Sequence, residues 1–189
     1  MIRFDPPAPI HKKLSVIGIA LALMALLTGC PSDTAGNNPV DASPNPTPAS
    51  RLDTSIFERL NDTAFVDSAE FGAGKGGVHD AAAYRVKAGK TATVYRVFDK
   101  YAFGRWWALS RPSGSKQNYR DAFAICPEWN ALDSLMTCTL PEGARLVVGP
   151  GESAGCTAGG FPRSDSLQAF INSSATVTRN CQSTPLAWP

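Results

Sequence analysis

Residues 91–98, Thr91-Ala92-Thr93-Val94-Tyr95-Arg96-Val97-Phe98, decide the fold class of this chain. Branched and aromatic side chains dominate, Arg96 carries the only charge, and neither glycine nor proline interrupts. Such a run reads as a strand, because those side chains fit a pleated, half-buried surface. Downstream, residues 103–109 (FGRWWAL) predict a second strand, stopped at the turn Arg111-Pro112-Ser113-Gly114. Residues 118–125 suit a short helix running into Cys126-Pro127. Residues 135–140 and 145–148 flank Pro141-Glu142-Gly143 and predict a hairpin. Residues 149–160 are rich in glycine and predict loop, and residues 167–171 (LQAFI) and 175–178 predict two short strands. Upstream, Ser55-Ile56-Phe57-Glu58 fits a capping box, with Ile56, Phe57 and Leu60 as the apolar face of a brief helix. No internal repeat is visible. The class is α+β: a small, mostly antiparallel β domain with one or two short helices.

Everything before this domain has a different character. Residues 14–27 carry no charge and follow the basic pair Lys12-Lys13. As a helix those fourteen residues rise about 21 Å, short of a hydrocarbon core of about 30 Å. A secretory signal is therefore a better reading than a permanent span. Residues 31–50 follow with five prolines, no aromatic residue and two charges. Such a segment buries too little apolar surface to offset the entropy of ordering, and it reads as a disordered tether. Three parts result: a signal at 1–29, Cys30 with its tether at 30–50, and one globular domain at 51–189, long enough to bury a core.

Leu27-Thr28-Gly29-Cys30 resembles the lipobox of bacterial lipoproteins. The resemblance implies cleavage before Cys30, a diacylglycerol thioether on its sulfur and an acylated new amino terminus. Several acyl chains, palmitate among them, anchor a protein stably where one chain binds only marginally. Pro31 stands where lipoproteins retained in the inner membrane typically carry Asp, which favours the outer membrane, with the domain facing the periplasm.

Removing residues 1–29 changes 18 basic and 16 acidic residues to 15 and 15. A neutral mature chain argues against a nucleic-acid footprint or a polybasic membrane patch. Export permits disulfides. With Cys30 lipidated, Cys126, Cys138, Cys156 and Cys181 remain, and four cysteines allow three connectivities. Short loops between consecutive elements favour Cys126–Cys138 and Cys156–Cys181. Zinc fits poorly, since no C-x-x-C pair exists and His79 is the only histidine after residue 30.

Candidate chemistry is sparse. Phe71-Gly72-Ala73-Gly74-Lys75-Gly76-Gly77 lacks the spacing and the Ser or Thr of a phosphate-binding loop and reads as a flexible surface loop. Gly151-Glu152-Ser153-Ala154-Gly155 matches the G-x-S-x-G elbow, but glycines follow it instead of a helix, and His79 precedes it.

More informative is an ordered set: Val94-Tyr95-Arg96-Val97, then Gly104-Arg105-Trp106-Trp107, then residues 124–130 (AICPEWN), then Leu167-Gln168-Ala169-Phe170-Ile171. Together it resembles toxin domains of the ADP-ribosyltransferase-like class, including NAD-glycohydrolases, over about residues 91–172. The resemblance implies NAD as substrate, with Arg96 on the pyrophosphate through its planar fork of donors. Trp106 or Trp107 would form a flat wall against the nicotinamide. Gln168 would stand at the nicotinamide ribose as the catalytic residue. The chain departs from the class in having no acid between Gln168 and Phe170, which points to NAD glycohydrolysis or an inactive fold before protein ADP-ribosylation. Two further functions compete. One is a non-catalytic binding module such as an inhibitor or immunity lipoprotein with a protein partner in the envelope. The other is a structural envelope lipoprotein.

Overall fold

The computed structural model describes residues 51–189. The lipobox, Cys30 and the tether lie outside the described residues. In chain order the elements are β1 (Phe57–Leu60), α1 (Thr63–Asp67), β2 (Ala82–Val86), β3 (Ala92–Phe98), β4 (Trp106–Ala108) and α2 (Lys116–Phe123). After them come β5 (Ser134–Leu140), β6 (Arg145–Pro150), β7 (Ala154–Cys156), β8 (Gly159–Phe161), β9 (Leu167–Phe170), α3 (Ser174–Val177) and β10 (Arg179–Pro185). The domain is mostly antiparallel β with three short helices and two disulfides, the α+β class its sequence predicts. None of the helices among the described residues is long and apolar enough to cross a membrane.

Eight strands form one sheet in the order β1-β2-β6-β9-β4-β3-β5-β10, and every neighbouring pair is antiparallel. Registers carry one face across it: Phe57 lies opposite Val86, Ala82 opposite Val148, Val148 opposite Ala169, Ala169 opposite Trp107, and Val94 opposite Cys138. All of these residues except Ala82 belong to one buried cluster, whose buried members come from the strands and the turns and ends beside them. Among the described residues only Val177 of α3 packs on it from a helix. With no other described layer to exclude water, the sheet must curl so that this face covers itself, as the right-handed twist of strands allows.

The opposite face needs covering, and two separate pieces cover it. α2 lays Tyr119 and Phe123, four residues apart and therefore on one side of the helix, over Val97, Ala108 and Leu135. Ser115 caps this helix by accepting from the Asn118 backbone N–H. Phe65 and Val66 of α1, with Ala69 and Val78, cover Val147 and Phe170. Between these covers no described element lies over the sheet.

Several sequence expectations give way to tertiary pairing. The turn at Asp53 stops after one hydrogen-bonded turn, and Phe57–Leu60 become β1 because Phe57 is needed in the core opposite Val86. The first helix instead starts at Asp62, whose carboxylate accepts from Phe65 N–H. The hairpin over residues 135–148 does not form: β5 pairs with β3 and β10, and β6 with β2 and β9. Its turn backbone is taken by the end of β2, where Gly143 N–H donates to Val86 O and Val86 N–H to Ala144 O. The glycine-rich loop holds the β7–β8 hairpin, whose bare backbones approach closely. Residues 175–178 form a helical turn rather than a strand, with Ser174 Oγ donating to Gly104 O.

The disulfides are Cys126–Cys156 and Cys138–Cys181, not the Cys126–Cys138 and Cys156–Cys181 pairs that sequence proximity favours. β10 returns to lie beside β5, which puts Cys181 against Cys138. Cys126, just past α2, packs with Ala154 of β7 on the outer face, which puts it against Cys156.

Candidate functional site

The uncovered strip between α2 and the residue 65–78 segment is a cavity of about 220 Å³. Its floor is β4 with Gln168 of β9, one wall is the end of α2, and the other is Lys75-Gly76-Gly77. Arg96 and Val97 close one end, and Trp129 and Asn130 complete the lining.

Arg96 reaches this place through a fault in the sheet. β3 and β4 share a single registered pair, Tyr95 with Ala108, and then part. The guanidinium fills the gap: Nη1 donates to Trp106 O at 2.9 Å and Nε to Tyr101 O at 3.3 Å. The neighbour allows it because Gly104 has no side chain, and a Cβ there would lie 2.2 Å from Arg96 Nη2. Burial pulls the Arg96 pKa down, while Tyr119 and Asp99 nearby hold it up, and an arginine stays charged throughout. Among the described residues it makes no ion pair, and Asp99 spends its carboxylate on the Lys100 and Ala131 backbone N–H groups.

Trp106 and Trp107 face opposite ways, as successive strand residues do. Trp107 turns its indole into the inner core and donates Nε1 to Gly104 O at 2.8 Å. Trp106 turns outward, edge-on to Phe71 and Phe170. Gln168 lies opposite Ala108, is buried, and donates Nε2 to Phe123 O at 3.2 Å, tying β9 to the end of α2. Arg96, Trp106, Trp107 and Gln168 thus all line one cavity, with only Trp106 presenting an aromatic ring from the outer face.

Sequence reading includes Val97 and residues 124–130 in the ordered set without giving them a role, and it misses Lys75, Gly76, Gly77, Tyr119 and Phe123 as lining. Gly76 and Gly77 are pinned in place: Gly76 N–H donates to Ser153 O, and a Cβ on Gly77 would lie 2.9 Å from Ala69 O. Both have positive φ, which glycine adopts without cost. Trp129 lies over Gly76 and is half exposed. Tyr119 is buried, and that burial pushes its phenol pKa well above the usual value. Arg120 braces the segment after α2, donating to Ile125 O and Asn130 O. The four-residue spacing of Tyr119 and Phe123 was the available signal for this wall, whereas the left-handed turn at Ala124 leaves no mark in the sequence.

The elbow-like Ser153 is tied into the frame. Its Oγ donates to Glu152 Oε1 at 2.8 Å and accepts from Gly74 N–H at 3.0 Å, while the side-chain partner of His79 is Asp80. Glu152 is buried and pairs with Arg163 through both carboxylate oxygens. That pair, ahead of the Ser153 hydrogen bonds, holds the Glu152 carboxyl down at about 2. Cys126, Glu128 and Cys156 lie close enough to share a metal, but both sulfurs are in a disulfide and offer no thiolate.

Chemically, the cavity offers aromatic surface, the cations Lys75 and Arg96, and the amides Asn130 and Gln168. Among the described residues no Asp or Glu lines it, so it has no carboxylate to stabilise a developing cation or abstract a proton. Comparison with known proteins finds no family model, no curated protein and no solved structure that matches this chain.

Proposed function

We propose that this is a lipid-anchored envelope protein, held at the outer membrane through Cys30, whose domain binds a flat, anionic small molecule. NAD is the ligand to test first. The observation that carries the reading is the convergence of Arg96, Trp106 and Gln168 on one aromatic cavity that also holds Lys75. Two of the five N–H groups of Arg96 serve backbone carbonyls, and others remain to meet an anionic group. Trp106 supplies ring surface. The lack of a lining carboxylate favours binding without ADP-ribose transfer, with Gln168 orienting the ligand.

Titration of the full chain with NAD, followed by tryptophan fluorescence and by nicotinamide release, tests this. Saturable quenching without release is the expected result, and Arg96→Met should weaken it at least tenfold. Saturable binding with nicotinamide release returns the domain to the glycohydrolase class. A flat titration removes NAD as ligand.

A second reading is a protein-binding inhibitor or immunity lipoprotein. Tyr101, Phe103 and Trp129 favour it, since they are the exposed large hydrophobic residues among those described. A Tyr101→Ser, Phe103→Ser chain that captures the same envelope proteins as the parent would remove it.

A further inference from the structure

The two sides of the cavity mouth hang on one short hairpin. On one side, Gly76 N–H donates to Ser153 O and Gly155 N–H donates to Gly74 O, which straps the residue 72–77 segment to β7. On the other, the segment carrying Trp129 is joined to the same hairpin by the Cys126–Cys156 disulfide. Glu128 adds a second attachment, accepting from both the N–H and the hydroxyl of Thr157. The mouth is therefore set by where β7–β8 holds Trp129 relative to Gly76.

These attachments differ in kind. The backbone straps persist in any redox state, whereas the disulfide does not. Cys126 is fully buried, whereas Cys156, beside the turn of the hairpin, is partly exposed and is the half of the bridge nearer solvent. We propose that Cys126–Cys156 is a redox latch on the cavity, closed when oxidised and loosened by a dithiol reductant. This rests on the reading of the cavity as a ligand site.

The chemistry balances with the dithiol as sole co-reactant. One of its thiolates attacks Cys156 Sγ and expels Cys126 as a thiolate, which takes up a proton. The second thiol then displaces Cys156 from the mixed disulfide, leaving two protein thiols and an oxidised reductant. The Arg120 brace on Ile125 O and Asn130 O survives this change, as does the Asn130 side-chain bond to Val97 O. Reduction therefore leaves residues 126–129 joined to the hairpin only through Glu128 and Thr157, which loosens the segment and the Trp129 ring without unfolding the sheet.

The test compares the full chain oxidised, the same chain treated with dithiothreitol and alkylated, and two variants, Cys126→Ala with Cys156→Ala and Cys138→Ala with Cys181→Ala. Amide hydrogen exchange is read over residues 126–130, and NAD affinity alongside it. Opening Cys126–Cys156 should raise exchange over residues 126–130 about tenfold and weaken NAD binding about threefold or more through lost preorganisation. Loss of Cys138–Cys181 alone should leave exchange at the mouth unchanged. Unchanged exchange once Cys126–Cys156 is open overturns the latch, as does an equal rise when only the other bridge is lost. If a variant fails to fold, the reduced and alkylated chain decides. If the oxidised chain binds no NAD, the ligand reading falls, and exchange still judges the latch.

Discussion

The two faces of the eight-stranded sheet solve the same burial problem in opposite ways. The inner face is continuous, covers itself by curvature and excludes charge, with Trp107, Leu140, Leu146 and Ile171 almost wholly buried. The outer face is patched by α2 and by the residue 65–78 segment, and the seam between the patches is the cavity. A face that needs separate covers is where a fold can leave room for a ligand. A face that closes on itself is where it gains stability.

The largest effect should come from testing the two adjacent tryptophans against each other. Trp107→Ala empties a site in the closed inner core and should cost about 4 kcal/mol. Trp106→Ala strips a half-buried ring from the seam and should cost roughly 2 kcal/mol. Urea unfolding monitored by circular dichroism measures both. Equal costs would mean that the faces are not energetically distinct.

Next in size is the inner-face bridge. Cys138–Cys181 closes a sequence separation of 43 residues and fixes β10, an exposed polar strand, to the edge of the sheet. Replacing both cysteines with alanine should cost about 3 kcal/mol, mainly through the unfolded chain. Thermal unfolding under non-reducing conditions checks this.

Legibility divides along the same line. Of the strands that form the closed core, β3, β4, β5, β6 and β9 carry enough branched and aromatic residues to be read from sequence, whereas β1 reads as a helix and the alanine-rich β2 gives no strand signal. Their pairing was not legible, because the partners of β6 lie far from it in the chain and the turn at Pro141 is a crossover between distant strands. β10 was invisible for a different reason: its polar residues show no alternation, since it needs only backbone pairing with β5. At the site, Arg96, Trp106, Trp107 and Gln168 could be chosen from sequence. The Gly76-Gly77 wall of the cavity could not, since those residues matter for the side chain they lack.

A smaller effect separates the faces by pH. Glu152, behind the cavity wall, has its pKa held at about 2 by Arg163, below an ordinary carboxyl value near 4.5. A depressed carboxylate gives stability that is complete above the unfolded value and is lost as pH falls toward the folded one. Between about pH 4.5 and 2, amide exchange in residues 151–164 should therefore rise before that of β3 and β5. In Glu152→Gln this acid-induced step should be absent, and the same residues should exchange faster already at pH 7.

The smallest effect is expected at the junction of the faces. By register Arg96 belongs to the inner side, opposite Met136, yet its guanidinium ends in the outer cavity by passing through the gap between β3 and β4. Its fork holds Tyr101 O and Trp106 O at once, beyond the single registered pair of β3 and β4. Arg96→Lys keeps the charge but has one ammonium for two carbonyls in different directions. It should cost about 1 kcal/mol, the net worth of one hydrogen bond. The inner core should be undisturbed, with the near-ultraviolet dichroism of buried Trp107 unchanged. Altered Trp107 dichroism would show that Arg96 props the closed core as well as the seam, and the two faces would then be one mechanical unit.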